Sequence, residues 1–365
     1  MNRRKFLGCG LAMSVSSSLR AAVGSKGFDE AAAILTKATE SKQISAASLY
    51  VSRGQDSRSQ FFGTARSIDA MYLLGSISKP ICMTAVMTLY DQGQFRLDDP
   101  VKKFLPKFTG DERDSVTIKH LLTHTSGLPD QLPENGKLRK EHASLDEFAE
   151  HAIRTPLQFA PGSRYQYASM GILLAAHIAE KISGLDIRQL VQRSVFDPLG
   201  MTRSAQGLGK FKIDDFVPLQ MEGAAPESGG GDPSSKDWNW NSPYWRALGA
   251  PWGGTHCSAP DVGRFLAEFL FKQGKVVKPA TATLMTTNQN PAGITPRGLG
   301  FNVSAAAGSK GCSDKTFGHT GSTGQLCWAD PATETICVVL TSLPALAANP
   351  HPRERAGAAI AGDRS

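Results

Sequence analysis

The stretch Leu73-Leu74-Gly75-Ser76-Ile77-Ser78-Lys79-Pro80-Ile81-Cys82-Met83 decides how the rest of this 365-residue chain is read. A Gly-led turn gives way there to an apolar run suited to a buried helix. Residues three apart on a helix share a face, so Ser76 presents its hydroxyl to Lys79 one turn later. Serine is a poor nucleophile until a neighbouring base takes its proton, and a lysine removed from water has its pKa lowered enough to help. Backbone N–H groups at a helix N-terminus also favour the negative charge that develops during acyl transfer. Alone, the spacing is equally that of a capping serine and a solvated lysine. Its weight comes from its company further along the chain.

Two later stretches complete a pattern: Tyr165-Gln166-Tyr167-Ala168-Ser169, and His319-Thr320-Gly321. In this order the three resemble the motifs of the serine β-lactamase and penicillin-binding-protein superfamily. A tyrosine opening the second motif makes the chain similar to the class C branch, which includes esterases and D-aminopeptidases. Residues 89–106, 116–130 and 252–270 resemble the scaffold of that branch, and the resemblance runs from about residue 28 to about residue 342. It implies an α/β (α+β) fold: an antiparallel sheet flanked by helices and built from both chain ends, with a mainly helical lobe inserted. The expected organisation is one catalytic domain over 23–365, with an α/β lobe at 28–90 and 280–365 and a helical lobe at 91–279.

The resemblance also implies roles. Ser76 attacks a carbonyl to form an acyl-enzyme, and Lys79 and Tyr167 share the proton traffic. The oxyanion lies between the backbone N–H groups of Ser76 and Ser322. Ser169, His319, Thr320 and Gly321 fall at substrate-binding positions. Tyr165 is an alternative to Tyr167, which is preferred because Tyr-Ala-Ser-Met-Gly matches the family's Tyr-Ser-Asn-x-Gly. A tyrosine, with an ordinary pKa of roughly 10, is a base at neutral pH only where cations favour phenolate. Lys79 is one such cation, and His319 is a second or a hydrogen-bonding support. His120 and His124 read as scaffold. Two departures from the commoner pattern stand out. Ser169 replaces an asparagine whose amide suits an amide side chain on the substrate, and His319 replaces a lysine, removing a fixed charge for a carboxylate.

Composition bounds the alternatives. Hydrophobic residues at 41% and charged ones at 20% are ordinary for a soluble globular chain long enough to bury a large core. The formal charge of +7 owes Arg3, Arg4, Lys5 and Arg20 to residues 1–22, which carry no acids, so about +3 remains without them. With no basic run interleaved with aromatics, nucleic-acid binding has no support. Asn2-Arg3-Arg4-Lys5-Phe6-Leu7 followed by a modest apolar stretch resembles a twin-arginine leader, so residues 1–22 are expected to be an export signal and the protein periplasmic or extracellular. Cys9 lies too early in that leader for a lipoprotein box. No other segment has the length of a membrane span.

Cys82, Cys257 and Cys337 sit in apolar surroundings and read as small buried hydrophobes, whereas Cys312 and Cys327 flank the third motif and are a candidate pair after export. The sequence contains no His-Glu-x-x-His zinc motif, no Gly-rich phosphate loop and no Gly-x-Ser-x-Gly elbow, so no metal and no cofactor is expected.

Along the chain, residues 28–43 read as an amphipathic helix, and 46–54 with 59–66 as a strand pair joined by a turn at Gly54–Ser57. Helices are expected within 117–124, 144–156, 172–184, 186–200 and 258–275, and strands return at 298–304, 324–331 and 334–342. Residues 222–252 begin glycine-rich and end with Trp238, Trp240, Tyr244, Trp245 and Trp252. Such a segment is either a surface loop pinned by its own tryptophans or an apolar wall beside the acyl site. The leading functional expectation is an exported serine hydrolase acting on small-molecule esters or amides. The alternatives are a β-lactamase or D,D-peptidase acting on cell-wall peptides, and a non-catalytic binding protein on the same fold.

Overall fold

The computed structural model of the chain describes residues 25–363; the basic leader over 1–22, with Cys9, lies outside the described residues. A six-stranded antiparallel sheet forms the frame. Its strands are β1 (Ala46–Arg53), β2 (Asp56–Gly63), β6 (Asn302–Val303), β7 (Phe317–Gly321), β8 (Gln325–Asp330) and β9 (Thr335–Thr341), in spatial order β2-β1-β9-β8-β7-β6. The first two strands join the last four through the β1–β9 pairing, in which Ala47 faces Thr341 and Val51 faces Cys337. Both chain ends therefore build one sheet, as the order of elements in the sequence predicts.

Period-two alternation assigns the faces of this sheet. In β9, Ile336, Val338 and Leu340 enter the larger core, while Cys337 and Val339 enter a smaller one. In β8, Cys327 and Ala329 go to the first face and Leu326 and Trp328 to the second. The smaller core is closed by the terminal helices, with Phe28, Ala31 and Leu35 from Ser25–Glu40 and Ala356 and Ile360 from Pro352–Gly362. Strands covered on both faces read as continuous apolar runs, which is why 334–342 is recognisable in the sequence. β2 is an edge strand and mostly exposed, and its polar residues suit that position. Its hairpin is tighter than expected. Arg53 pairs with Asp56, so the turn is Gly54-Gln55 alone.

The helix Ser78–Asp91 lies at the centre of the larger core, with every residue from Ser78 to Leu89 buried. A helix apolar on all sides must be covered on all sides. It packs against Ser169–Ser183 and Ile187–Val191 from the inserted helical part, and its Met83 shares one core with Phe265 of the helix Ala259–Leu270 and with Phe301. Pro80 falls in its first turn, where a missing N–H costs nothing.

A second sheet is not legible in the sequence. β3 (Tyr72–Leu73), β5 (Thr255–Cys257) and β4 (Ser204–Gln206) pair antiparallel in the order β3-β5-β4, and strands of two or three residues leave no period to read. The expected strand at 298–304 shortens to Asn302–Val303, and the C-terminal helix Pro352–Gly362 is an addition to the expected elements. Cys312 and Cys327 do not pair: both are free thiols, as are Cys82, Cys257 and Cys337. Among the described residues, no helix is long and apolar enough to cross a membrane.

Candidate active site

Ser76 sits in a single 3₁₀ turn, Gly75–Ile77, that runs directly into the Ser78–Asp91 helix. The turn is anchored by the small sheet. The Leu74 N–H donates to the Thr255 carbonyl at 2.8 Å, and the Thr255 N–H donates to Ser78 Oγ at 2.9 Å. Ser78 is thereby committed to structure and fully buried, whereas Ser76 is only half-buried. Lys79 is 1% exposed, and its Nζ lies 3.0 Å from Ser76 Oγ and 2.9 Å from the Trp252 carbonyl oxygen. Burial pulls its pKa down to about 7; Asp130 opposes that shift and Arg297 adds to it. Lys79 is thus a neutral amine for a large part of the time near pH 7, in contact with a serine hydroxyl.

Of the two tyrosines in the second motif, Tyr167 lines the same cavity as Ser76 and Lys79, with Lys79 Nζ 4.7 Å from its ring centroid. Tyr165 instead meets the edge of His124, at 5.9 Å between rings. Burial pushes the Tyr167 phenol above its ordinary range; Arg297 and the Ser76 hydroxyl oppose this shift, and Asp130 reinforces it. The cations do not produce a phenolate here, because desolvation outweighs them. His124 also supports this segment: its Nδ1 accepts the Ala168 N–H at 3.1 Å, and its ring lies 4.6 Å from that of Tyr167. His120 closes a capping box on Ile118–Leu122, a scaffold role.

Ser169 lines the cavity, but its hydroxyl is engaged by the protein. Its Oγ donates to Asp130 Oδ1 at 2.5 Å and its N–H to the same oxygen at 3.0 Å. His319 lies deeper, at the hydrogen-bonding position its motif allows. It is 3% exposed, does not line the cavity, and burial, Arg297 and Lys79 hold its pKa well below the ordinary range. It is a neutral imidazole and supplies no charge. Beside it Arg297, also buried and outside the cavity lining, donates from its guanidinium to His319 Nε2 at 3.0 Å and lies 5.7 Å from the Tyr167 ring centroid.

Thr320 is exposed and Gly321 buried on β7, which delivers Ser322 to the cavity rim. Two glycines let that strand end approach the Ser76 turn. A side chain on Gly321 would meet the Leu74 carbonyl oxygen at 2.2 Å, and one on Gly75, whose φ is +55°, would lie 3.2 Å from the Ser322 nitrogen. The backbones of Ser76 and Ser322 therefore flank one small space. The cavity measures about 160 Å³. The tryptophan-rich segment forms part of its wall through Trp240, Trp245 and Trp252, each buried; Trp238 does not line it.

Sequence reasoning misses Asp130, Arg139 and Arg297. Asp130 ends a segment that resembles scaffold, Arg139 sits beside Lys137, Lys140 and Glu141 with no motif to mark it, and Arg297 is a lone arginine in a loop. Among the described residues, one group of metal-ligating type, Asp146, His177 and Glu180, has its ligand atoms within 4.8 Å of one another, and none of the three lines this cavity.

A serine hydroxyl against a lysine of lowered pKa, with a tyrosine and two backbones around one space, is an arrangement suited to acyl transfer. Known proteins point the same way. Residues 31–361 match the family model described as Beta-lactamase, which extends the resemblance through the C-terminal helix. The chain is 36% identical to esterase EstB of Burkholderia gladioli over 148 residues, covering 36% of this chain and 38% of EstB. It thus spans well under half the length of that relative. Its fold is similar to that of D-amino acid amidase from Ochrobactrum anthropi SV3, with a TM-score of 0.74 at 20% identity over 93% of this chain and 100% of that one. It is also similar to a penicillin-binding protein homologue from Caulobacter crescentus, with a TM-score of 0.76 at 18% identity over 94% and 99%. With the family model covering nearly all of the described residues and the motif serine and lysine in contact, the chain belongs to the β-lactamase family of serine hydrolases.

Proposed function

We propose that this protein is an exported serine hydrolase that forms an acyl-enzyme on Ser76 and acts on small esters or amides. The observation that carries the reading is the 3.0 Å contact between Ser76 Oγ and a lysine whose pKa is drawn down to about 7. Neutral Lys79 accepts the Ser76 proton as Oγ bonds to the substrate carbonyl carbon. The oxygen that becomes negative lies between the Ser76 and Ser322 N–H groups. Tyr167, held as the neutral phenol, donates its proton to the departing alkoxide or amine as the C–O or C–N bond breaks, and the Lys79 ammonium restores that proton. Water then attacks the acyl-enzyme by the same route in reverse. The similarity to an esterase and the engagement of Ser169 by Asp130 support esters over the amide-bearing substrates an asparagine would suit. Export rests on the twin-arginine-like leader.

The test is fluorophosphonate labelling followed by peptide mass spectrometry, with turnover measured on p-nitrophenyl butyrate and nitrocefin. The adduct is expected on Ser76, with ester turnover far above nitrocefin turnover and both lost in Ser76→Ala. A label on Ser78, Ser126 or Ser322 would sink the assignment. Labelling without any turnover would leave a binding protein on this fold.

A further inference from the structure

The cavity beside Ser76 holds a buried cation that acyl transfer does not use. Arg139, on the helix Asn135–Lys140, lines that cavity and is 3% exposed. Its guanidinium stacks on Trp245 with 3.8 Å between the Cζ atom and the ring centroid. Nε donates to Asn135 Oδ1 at 3.2 Å, but Nη1 is buried with no hydrogen-bond partner. No ion pair among the described residues includes Arg139. Burial draws its pKa down to about 10, with Tyr244 and Glu227 opposing, so it remains charged at neutral pH. Glu227 also lines the cavity and is exposed, so it moderates this charge without pairing to it.

A buried guanidinium with donors to spare is costly to hold unless an acceptor arrives. The acceptor that best matches its planar fork is a carboxylate, taken by two parallel hydrogen bonds. Trp245 beneath the guanidinium fixes its plane, and Trp240 and Trp252 add apolar wall to the same cavity. A cavity of about 160 Å³ admits only a short chain.

We propose that Arg139, stacked on Trp245, is a carboxylate-recognising subsite, and that the favoured substrates are short esters or amides carrying a free carboxylate a few methylenes from the scissile bond. The proposal rests on the acyl-enzyme reading of Ser76 and adds to it the substrate's charge.

The experiment compares kcat/KM for monoethyl glutarate with that for ethyl pentanoate by pH-stat, in wild type and in Arg139→Met, which keeps the stem and loses the charge. The wild type is expected to prefer the anionic ester, and Arg139→Met to lower the ratio at least tenfold, with partial recovery in Arg139→Lys. A ratio within twofold of wild type in folded Arg139→Met would overturn the subsite. Should Arg139→Met not fold, Glu227→Gln removes the opposing carboxylate and is expected to raise the ratio about threefold; an unchanged ratio overturns it equally. A direct arm keeps this distinct from failure of the nucleophile assignment. In Ser76→Ala, glutarate should quench tryptophan fluorescence saturably, pentanamide should not, and Arg139→Met should abolish the glutarate response. Equal responses to both probes would exclude a carboxylate site even if no ester is turned over.

Discussion

The Arg297 guanidinium donates to Nε2 of His319 at 3.0 Å, while Nδ1 on the other side of that ring lies 2.7 Å from the Thr320 carbonyl oxygen. An arginine has only donors, so Nε2 must be the accepting nitrogen and Nδ1 carries the proton to the carbonyl. His319 is locked in one neutral tautomer. Arg297 is also buried and, like His319, does not line the cavity; its Cζ atom lies 5.7 Å from the Tyr167 ring centroid.

Lys79 should therefore set the pH dependence. Acyl transfer needs its neutral form, so kcat/KM for a neutral ester is expected to rise with pH through about 7 and then level off. No basic limb is expected below the ordinary tyrosine range, because the Tyr167 phenol is pushed upward. In Arg297→Gln, loss of the positive charge favours the Lys79 ammonium, and the rising limb should move up by roughly one pH unit or less. An unmoved limb would mean that Arg297 is structural only.

Asp130→Asn should act in the opposite direction. Asp130 raises the Lys79 pKa, and asparagine keeps an oxygen to accept the two Ser169 hydrogen bonds. The limb should shift to lower pH, with the fold retained by circular dichroism. Opposite shifts in the two variants would separate electrostatics from packing, since a loosened site would lower activity without moving the limb in opposite directions.

Tyr167→Phe is expected to lower kcat for p-nitrophenyl butyrate by about 10²-fold or more, the scale of one positioned proton-transfer group. Tyr165→Phe should change it less than threefold. Tyr167→Phe combined with Lys79→Ala should be far from additive, because both serve one proton path. A crippling Tyr165→Phe would reverse the assignment.

Lys79→Met should stabilise the protein while abolishing activity. The folded-state pKa of about 7 lies below the ordinary 10.5, so the unfolded chain binds the extra proton between those values. Stability of the wild type therefore rises with pH across that window, and the burial cost is largest below pH 7. The gain in unfolding free energy from Lys79→Met is expected to be roughly 3 kcal/mol larger at pH 6 than at pH 9. Chemical denaturation at the two pH values measures it; a gain independent of pH would refute the buried-cation account.

The frame of the sheet is legible because its strands, covered on both faces, are long enough to show continuous apolar runs. Residues 334–342 and 324–331 alternate between two cores, and the apolar run after Ser76 has no polar face because the helix is covered on all sides. Local spacing is enough to place Lys79 over Ser76, since a helical turn fixes that geometry without help from the rest of the chain.

Tertiary structure decided everything that depends on which groups lose water together. Choosing Tyr167 over Tyr165 as the cavity residue required the path of the chain before Ser169, and motif register only favoured it. That His319 is neutral follows from burial beside Arg297, a residue 22 positions away in sequence. Ser169 is engaged by Asp130 across 39 positions, and Arg139 leaves an ordinary-looking charge run to stack under Trp245. Residue type and spacing determine which chemistry a chain can attempt. Desolvation and long-range charge determine the protonation state in which each group meets it, and these are properties of the folded interior alone.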